Sequence, residues 1–161
     1  EQVMTANING PSQIVVSGHA NACDRLILWL KENTEDPLRC VELNVSAPFH
    51  SSLMSPAEKK LAHYFSDINF HSNKIPYIAN IDATEYPPST NPKVIMNNLI
   101  QQVSSSVLWK QSFSMLLEQT TCLEIGPGKT LMGLGRSINK KIKIIPTDVE
   151  NLNHLLEEKL Q

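Results

Sequence analysis

The residue best suited to chemistry is His50, in the stretch Val45-Ser46-Ala47-Pro48-Phe49-His50-Ser51-Ser52-Leu53-Met54. Pro48 fixes its own φ and drives Ala47 into extended geometry, so a strand arriving at Val45 must end at a stiff corner. From His50 onward the apolar residues fall at 53, 54, 57, 61, 64 and 65, which predicts a helix over about 51–66. His50 then lies one turn before Leu53 and Met54 on the inward face. An imidazole at such a corner can take and return a proton near neutral pH, the work of a general base. The same pattern describes a hydrogen-bonded core histidine, and taken alone it favours that plainer role.

Other chemistry-bearing residues give weaker signals. Gly126-Pro127-Gly128-Lys129-Thr130 resembles a phosphate loop, yet a Walker A motif needs glycine five positions before Gly128, and position 123 is leucine. It reads as a tight strand-to-helix turn, with a nearby pyrophosphate-bearing ligand left open. Met4, His63, His71 and His154 have no partner at ligand spacing and read as structural or surface residues, and His19, in the first turn of a helix, is given no role. Asp82 and Glu85 lack a second acidic cluster, and Gln101-Gln102 reads as the polar face of a helix. Cys23, Cys40 and Cys122 contain no CxxC pair, so neither a metal site nor a disulfide framework is expected. Reduced thiols and a cytoplasmic location are the expectation.

The elements that must position His50 follow from periodicity. Ile14-Val15-Val16 is a strand, Ser17 a helix cap, and Ala22, Leu26, Trp29 and Leu30 the inner face of a helix ending near Asn33. Val41, Leu43 and Val45 alternate with Glu42 and Asn44, as in a strand with one wet face. Beyond the His50 corner and its helix, 75–81 reads as a strand with Pro76 at its edge, and 86–90 as a loop. Asn91-Pro92 opens a helix with apolar residues at 95, 99 and 103; Ser104-Ser105-Ser106 breaks it; a second helix is expected over 109–118. A buried strand over 121–125, a helix from 129 or 130 to 138 and a strand over 142–145 follow. Thr147-Asp148-Val149-Glu150 has capping-box form before a last helix. Strands alternating with helices predict an α/β fold with a partly parallel sheet.

Composition sets the bounds. The chain has 161 residues, 41% hydrophobic and 19% charged, enough for one domain with a real core. A formal charge of −2 without a dense basic cluster excludes the usual footprint for nucleic acid or an anionic membrane. No apolar run approaches the roughly 18 residues that span a bilayer. The chain starts at Glu1, without a leader or an initiator methionine, and runs almost directly into a strand, so upstream sequence is expected to be missing.

Four segments, in this order, carry a family resemblance: Asn9-Gly-Pro-Ser-Gln13-Ile-Val-Val-Ser-Gly18-His19, Val45 through Met54, Gln101-Gln102-Val-Ser-Ser-Ser-Val-Leu-Trp109, and Leu123-Glu-Ile-Gly-Pro-Gly-Lys129-Thr-Leu131. They resemble the malonyl-CoA:acyl carrier protein transacylases over nearly the whole chain, with the acyltransferase domains of polyketide and fatty-acid synthases as the alternative. The resemblance implies an S-malonyltransferase working by a ping-pong route. A serine takes malonyl from coenzyme A and yields it to the phosphopantetheine thiol of acyl carrier protein, with no cofactor beyond that substrate. It implies that His50 activates the serine and that the main-chain carbonyl of Gln102 orients the ring. Phe49 matches a bulky position tied to malonyl over methylmalonyl, and Asn9 falls among the substrate-contacting positions. The family's G-x-S-x-G nucleophile elbow does not occur in these 161 residues, nor do the glutamine loop and arginine that serve the oxyanion and the malonyl carboxylate. The resemblance therefore implies a C-terminal part: 1–46 from a small ferredoxin-like subdomain and 47–161 from the hydrolase-like core, inactive alone. A non-catalytic fragment that binds acyl carrier protein is the competing class.

Overall fold

The computed structural model describes residues 1–35, 37–118 and 120–147. It opens with an antiparallel hairpin of β1 (Val3–Gly10) and β2 (Gln13–Gly18), turned at Pro11-Ser12. β1 is a poor strand by composition, with Asn7, Asn9 and Ala6 in it, and holds by pairing and packing. Its register shifts between Thr5 and Asn7 and again between Ile8 and Gly10, leaving Ala6 and Asn9 as extra, bulged residues. Ser17 lies inside β2, so it does not cap the next helix; α1 (Ala20–Asn33) has His19 at its N-cap, with no side-chain cap bond. The His19 ring instead accepts the Gln2 backbone N–H at 2.9 Å.

Two expectations fail on either side of the corner. Residues 41–45 are not a strand, and Val41, Leu43 and Val45 are all exposed. The alternation is real, yet no described strand lies beside the segment to take its ladder hydrogen bonds. The helix after the corner starts late: a 3₁₀ turn over Ser52–Met54 precedes α2 (Ser55–Phe65), which has Pro56 in its first turn. His50 is therefore not on a helical face.

β3 (Tyr77–Ile78) and β4 (Glu85–Tyr86) form a minimal antiparallel ladder, much shorter than the strand expected over 75–81. Pro76 has no N–H to donate, which limits the ladder on that side. α3 (Pro92–Gln101) begins as predicted, with Asn91 Oδ1 accepting the Lys93 N–H at 2.9 Å. α4 (Trp109–Ser114) is shorter than the 109–118 helix expected. β5 (Thr121–Glu124) and β6 (Lys143–Pro146) pair in parallel across α5 (Thr130–Ile138), so the fold is α/β with parallel and antiparallel pairs. The capping box from Thr147, its helix and His154 lie outside the described residues, although the Thr147 hydroxyl itself donates to the Glu124 carbonyl at 2.9 Å.

The core centres on Phe113, Ile142 and Ile144, with Trp109, Leu116, Met132 and Ile138 packed around them. Gly135 lets α5 approach this cluster: a Cβ there would fall 2.4 Å from Ile144 Cδ1 and 2.7 Å from Phe113 Cζ. α4 and α5 pack on each other and on β1, tying the hairpin to the parallel pair. Among the described residues no helix is long and apolar enough to cross a membrane.

Candidate active site

The corner at Pro48 is locked from inside. Ser51 is 1% exposed, and its hydroxyl donates to the Pro48 carbonyl at 2.7 Å. The Phe49 N–H donates to the Ala47 carbonyl at 2.8 Å. Between them His50 has φ of 58°, the left-handed region that non-glycine residues seldom occupy. Such a conformation costs about 1–3 kcal/mol and persists only where its surroundings over-determine it.

What determines it is the C-terminal end of α3. Helix ends leave carbonyls without intrahelical partners. Here the first of them are absorbed by tightened turns: Val103 N–H bonds Ile100 O at 3.3 Å, and the Ser104 and Ser105 N–H groups share Gln101 O at 3.2 and 3.0 Å. The next carbonyls turn to His50. Nδ1 lies 3.0 Å from Gln102 O and 3.2 Å from Ser105 O, while the His50 N–H donates to Val103 O at 3.3 Å. Carbonyls only accept, so Nδ1 must carry a proton, and in the neutral tautomer this selects the lone pair belongs to Nε2. The histidine is half-buried, and its ring is oriented by main-chain carbonyls, without a carboxylate.

The loop that supplies these carbonyls is itself fastened. Ser106 Oγ donates to Thr5 O at 2.5 Å, Val107 N–H to Ala6 O at 2.8 Å, and Ile8 N–H to Val107 O at 2.9 Å, so the loop lies in register on the bulged β1. The Leu108 N–H donates to Asn80 O at 2.9 Å, reaching the segment after β3. A cavity of about 220 Å³ lies beside Gln102, lined by Tyr77, Ala79, Asn80, Ile95 and Asn98 among others. Tyr77 and Tyr86 stack beneath it at 5.1 Å, with Asn98 Nδ2 donating to the Tyr77 hydroxyl at 3.2 Å. Asp82 accepts the Tyr86 hydroxyl at 2.7 Å and the Thr84 N–H at 3.0 Å, and that carboxylate holds the Tyr86 phenol above its ordinary pKa. Asp82 is thus a turn-forming acceptor.

The structure brings His50 and the Gln102 carbonyl together. Phe49 stays 46% exposed at the corner. Asn9 sits on the second bulge of β1, half-buried, and no hydrogen bond links its amide to Phe49, His50 or Gln102. Of the nearby hydroxyls, Ser51 is committed to Pro48 and Ser52 to the Gln2 side chain at 2.5 Å. Ser51 is extended, with φ of −130°, and follows a left-handed residue, so helical geometry does not separate it from His50; its buried bond to Pro48 does.

The glycine turn resolves differently from a phosphate loop. Gly126 and Gly128 take φ of 131° and 95°, which fold the chain back over the end of β5. The Glu124 carboxylate, 8% exposed, then accepts the Leu131 and Met132 N–H groups, both at 2.8 Å. The amides that would greet a phosphate already hold an internal anion. Glu124 has no place in the sequence reading as a separate functional residue; the signal was a carboxylate closing a strand just before a glycine turn into a helix.

No family model matches the chain. It is 38% identical over 145 residues to the malonyl CoA-acyl carrier protein transacylase of Bacillus subtilis (strain 168), taking in 89% of this chain and 44% of that protein. Among solved structures, the malonyl-CoA:acyl carrier protein transacylase of Xanthomonas oryzae pv. oryzae superposes with a TM-score of 0.85 at 32% identity, covering 97% of this chain and 49% of that one. A malonyl-transacylase solved in complex with its type II PKS acyl-carrier protein gives a TM-score of 0.86 at 30% identity, covering 98% of this chain and 50% of that one. The chain spans about half the length of the relatives it matches. Over most of its own length, this chain is homologous to the malonyl-CoA:acyl carrier protein transacylases.

Proposed function

We propose that this chain is the C-terminal part of a malonyl-CoA:acyl carrier protein transacylase and supplies the base side of its active site. One observation carries the reading: an imidazole whose Nδ1 is tied to the carbonyls of Gln102 and Ser105, which leaves Nε2 as the nitrogen that can exchange a proton with a substrate group. In the reaction, Nε2 takes the proton of a serine hydroxyl as its oxygen attacks the malonyl thioester, then returns that proton to the departing coenzyme A thiol. In the second half the phosphopantetheine thiol of acyl carrier protein gives its proton to Nε2 while attacking the malonyl-serine, and the serine oxygen recovers it. The two carbonyls hold the transient imidazolium without a formal negative charge. The serine belongs to a G-x-S-x-G elbow that these 161 residues do not contain, so the chain alone is inactive.

The partner reading is supported by the homologous malonyl-transacylase solved with its acyl-carrier protein. The hairpin with α1 supports placing 1–46 in a small ferredoxin-like subdomain, and the parallel β5–β6 pair supports placing 47–161 in the hydrolase-like core. Phe49, exposed beside His50, is the residue that would narrow the acyl pocket, and Asn9, on the second bulge of β1, would be a substrate contact. The absence of the elbow from this sequence also suits a second reading, in which the chain binds acyl carrier protein without chemistry.

The test is complementation. A half carrying the elbow, taken from the Bacillus subtilis relative, is joined to this chain, and transfer of malonyl from malonyl-CoA to acyl carrier protein is measured. Transfer is expected, and His50→Ala should lower it about 10²- to 10⁴-fold with an unchanged circular dichroism spectrum. A folded hybrid in which His50→Ala turns over normally would refute the assignment, and one that binds acyl carrier protein without transfer would favour the second reading.

A further inference from the structure

We infer that Glu58 and Ser104 form a positioning pair that holds the carbonyl-bearing loop against His50, an inference that rests on the proposed role of His50 as the base. Ser104 is in the middle of the 102–105 segment, whose carbonyls at 102, 103 and 105 all meet His50. Its hydroxyl donates to the Glu58 carboxylate on α2. α2 follows directly on the 3₁₀ turn that leaves the His50 corner. The bond therefore closes a ring of contacts: from His50 through residues 51–57 to Glu58, across to Ser104, and back through the loop carbonyls to the imidazole.

The remaining ties on the loop leave this point free. Ser106, Val107 and Leu108 are fastened to Thr5, Ala6 and Asn80, beyond the carbonyls that matter. Before them, the backbone N–H groups of Val103 and Ser104 make turn bonds of 3.3 and 3.2 Å, at the long end of the useful range. Both side chains of the pair are half-buried, and a hydroxyl donating to a carboxylate forms a bond about twice as strong as a neutral one. Glu58 also lies in the first turn of α2, where a carboxylate is favoured for its own sake. That helix-dipole contribution does not depend on Ser104, so the serine separates the two roles. The Nδ1 proton is shared between acceptors at 3.0 and 3.2 Å, so a loop that drifts by a few tenths of an ångström weakens the hold on that tautomer. Neither residue touches a reacting atom; both act through the ring.

The tautomer can be read without turnover. The whole 161-residue chain is labelled with ¹⁵N, and the ring nitrogens of His50 are observed at a pH where its imidazole is neutral, assigned by their loss in His50→Ala. The wild-type ring should be mainly Nδ1–H. Ser104→Ala and Glu58→Ala should each move the tautomer ratio toward Nε2–H by roughly threefold to tenfold, the size expected for one lost hydrogen bond. The double variant should go no further than either single one, and Glu58→Gln, which keeps an acceptor, should restore most of the ratio. Backbone resonances away from the site report that the fold is intact. A ratio unmoved by Ser104→Ala, or two effects that simply add, would overturn the pair while leaving His50 as the base. A wild-type ring that is mainly Nε2–H would overturn the base assignment, and the pair with it.

Discussion

Removing the Glu124 carboxylate should be among the costliest single changes in the chain. The side chain is nearly buried and accepts the first free amides of α5, from Leu131 and Met132, at 2.8 Å each. Glu124→Ala deletes two charge-assisted bonds and leaves two N–H groups facing a space that water fills poorly. Loss of a helix cap costs about 0.5–2 kcal/mol, and a buried donor without a partner about 1–3 kcal/mol. One amide is near the surface, since Leu131 is partly exposed, so the sum should be taken at about 2–4 kcal/mol. Urea unfolding followed by far-ultraviolet circular dichroism measures it. With a slope of about 2 kcal/mol per molar, the midpoint should fall by about 1–2 M. Glu124→Gln keeps one acceptor but turns a donor toward the other amide, so it should fall between alanine and wild type. A loss below about 0.5 kcal/mol for alanine would mean that those amides find other partners, and would reopen the turn as a place for an external anion.

Gln102→Ala should leave malonyl transfer in the completed enzyme within about threefold, because the orienting group is main chain; Gln102→Pro removes the N–H that bonds Asn98 O at 3.1 Å and should cost at least tenfold. Equal, severe losses in steady-state assays of both would show that the amide side chain takes part. Gly135→Ala should destabilise by about 1–3 kcal/mol in the same urea titration, since its Cβ would overlap Ile144 and Phe113; a neutral result would mean that α5 can shift outward freely. Phe49→Ser should relax discrimination against methylmalonyl-CoA by an amount equivalent to about 1–3 kcal/mol, read as the ratio of kcat/KM values, and an unchanged ratio would remove Phe49 from the pocket.

How much of this was legible in the residues depends on how local each signal is. Asn91-Pro92 specifies a helix start through its own side chain and its own φ, and it is found where expected. The two strands on either side of the glycine turn and α5 were readable from their own apolar runs, whereas their parallel pairing is a property of the fold. The segment over 41–45 has an equally clean alternation and no strand, because pairing depends on a neighbour and periodicity does not supply one. β1 errs the other way: its asparagines discourage a strand, and β2 together with Val107 impose it. The sequence reading placed His50 on a helical face through its spacing from Leu53, and that face begins only after a 3₁₀ turn. Its left-handed backbone has no compositional mark. The carbonyls from 102 to 105 leave no residue-type signature, and resemblance pointed to only one of them.

Under the proposed function, the left-handed backbone at His50 sets thermal robustness against activity at a single position. Glycine there would lift a steric penalty of about 1–2 kcal/mol, part of which returns as greater freedom of the unfolded chain, and asparagine tolerates the same conformation. A library sorted only for resistance to heat or protease would therefore enrich variants at position 50 that fold well and lack the imidazole to which we assign the role of base. Selections for hardier forms that are to keep the proposed activity need to hold this residue fixed and seek their gains elsewhere.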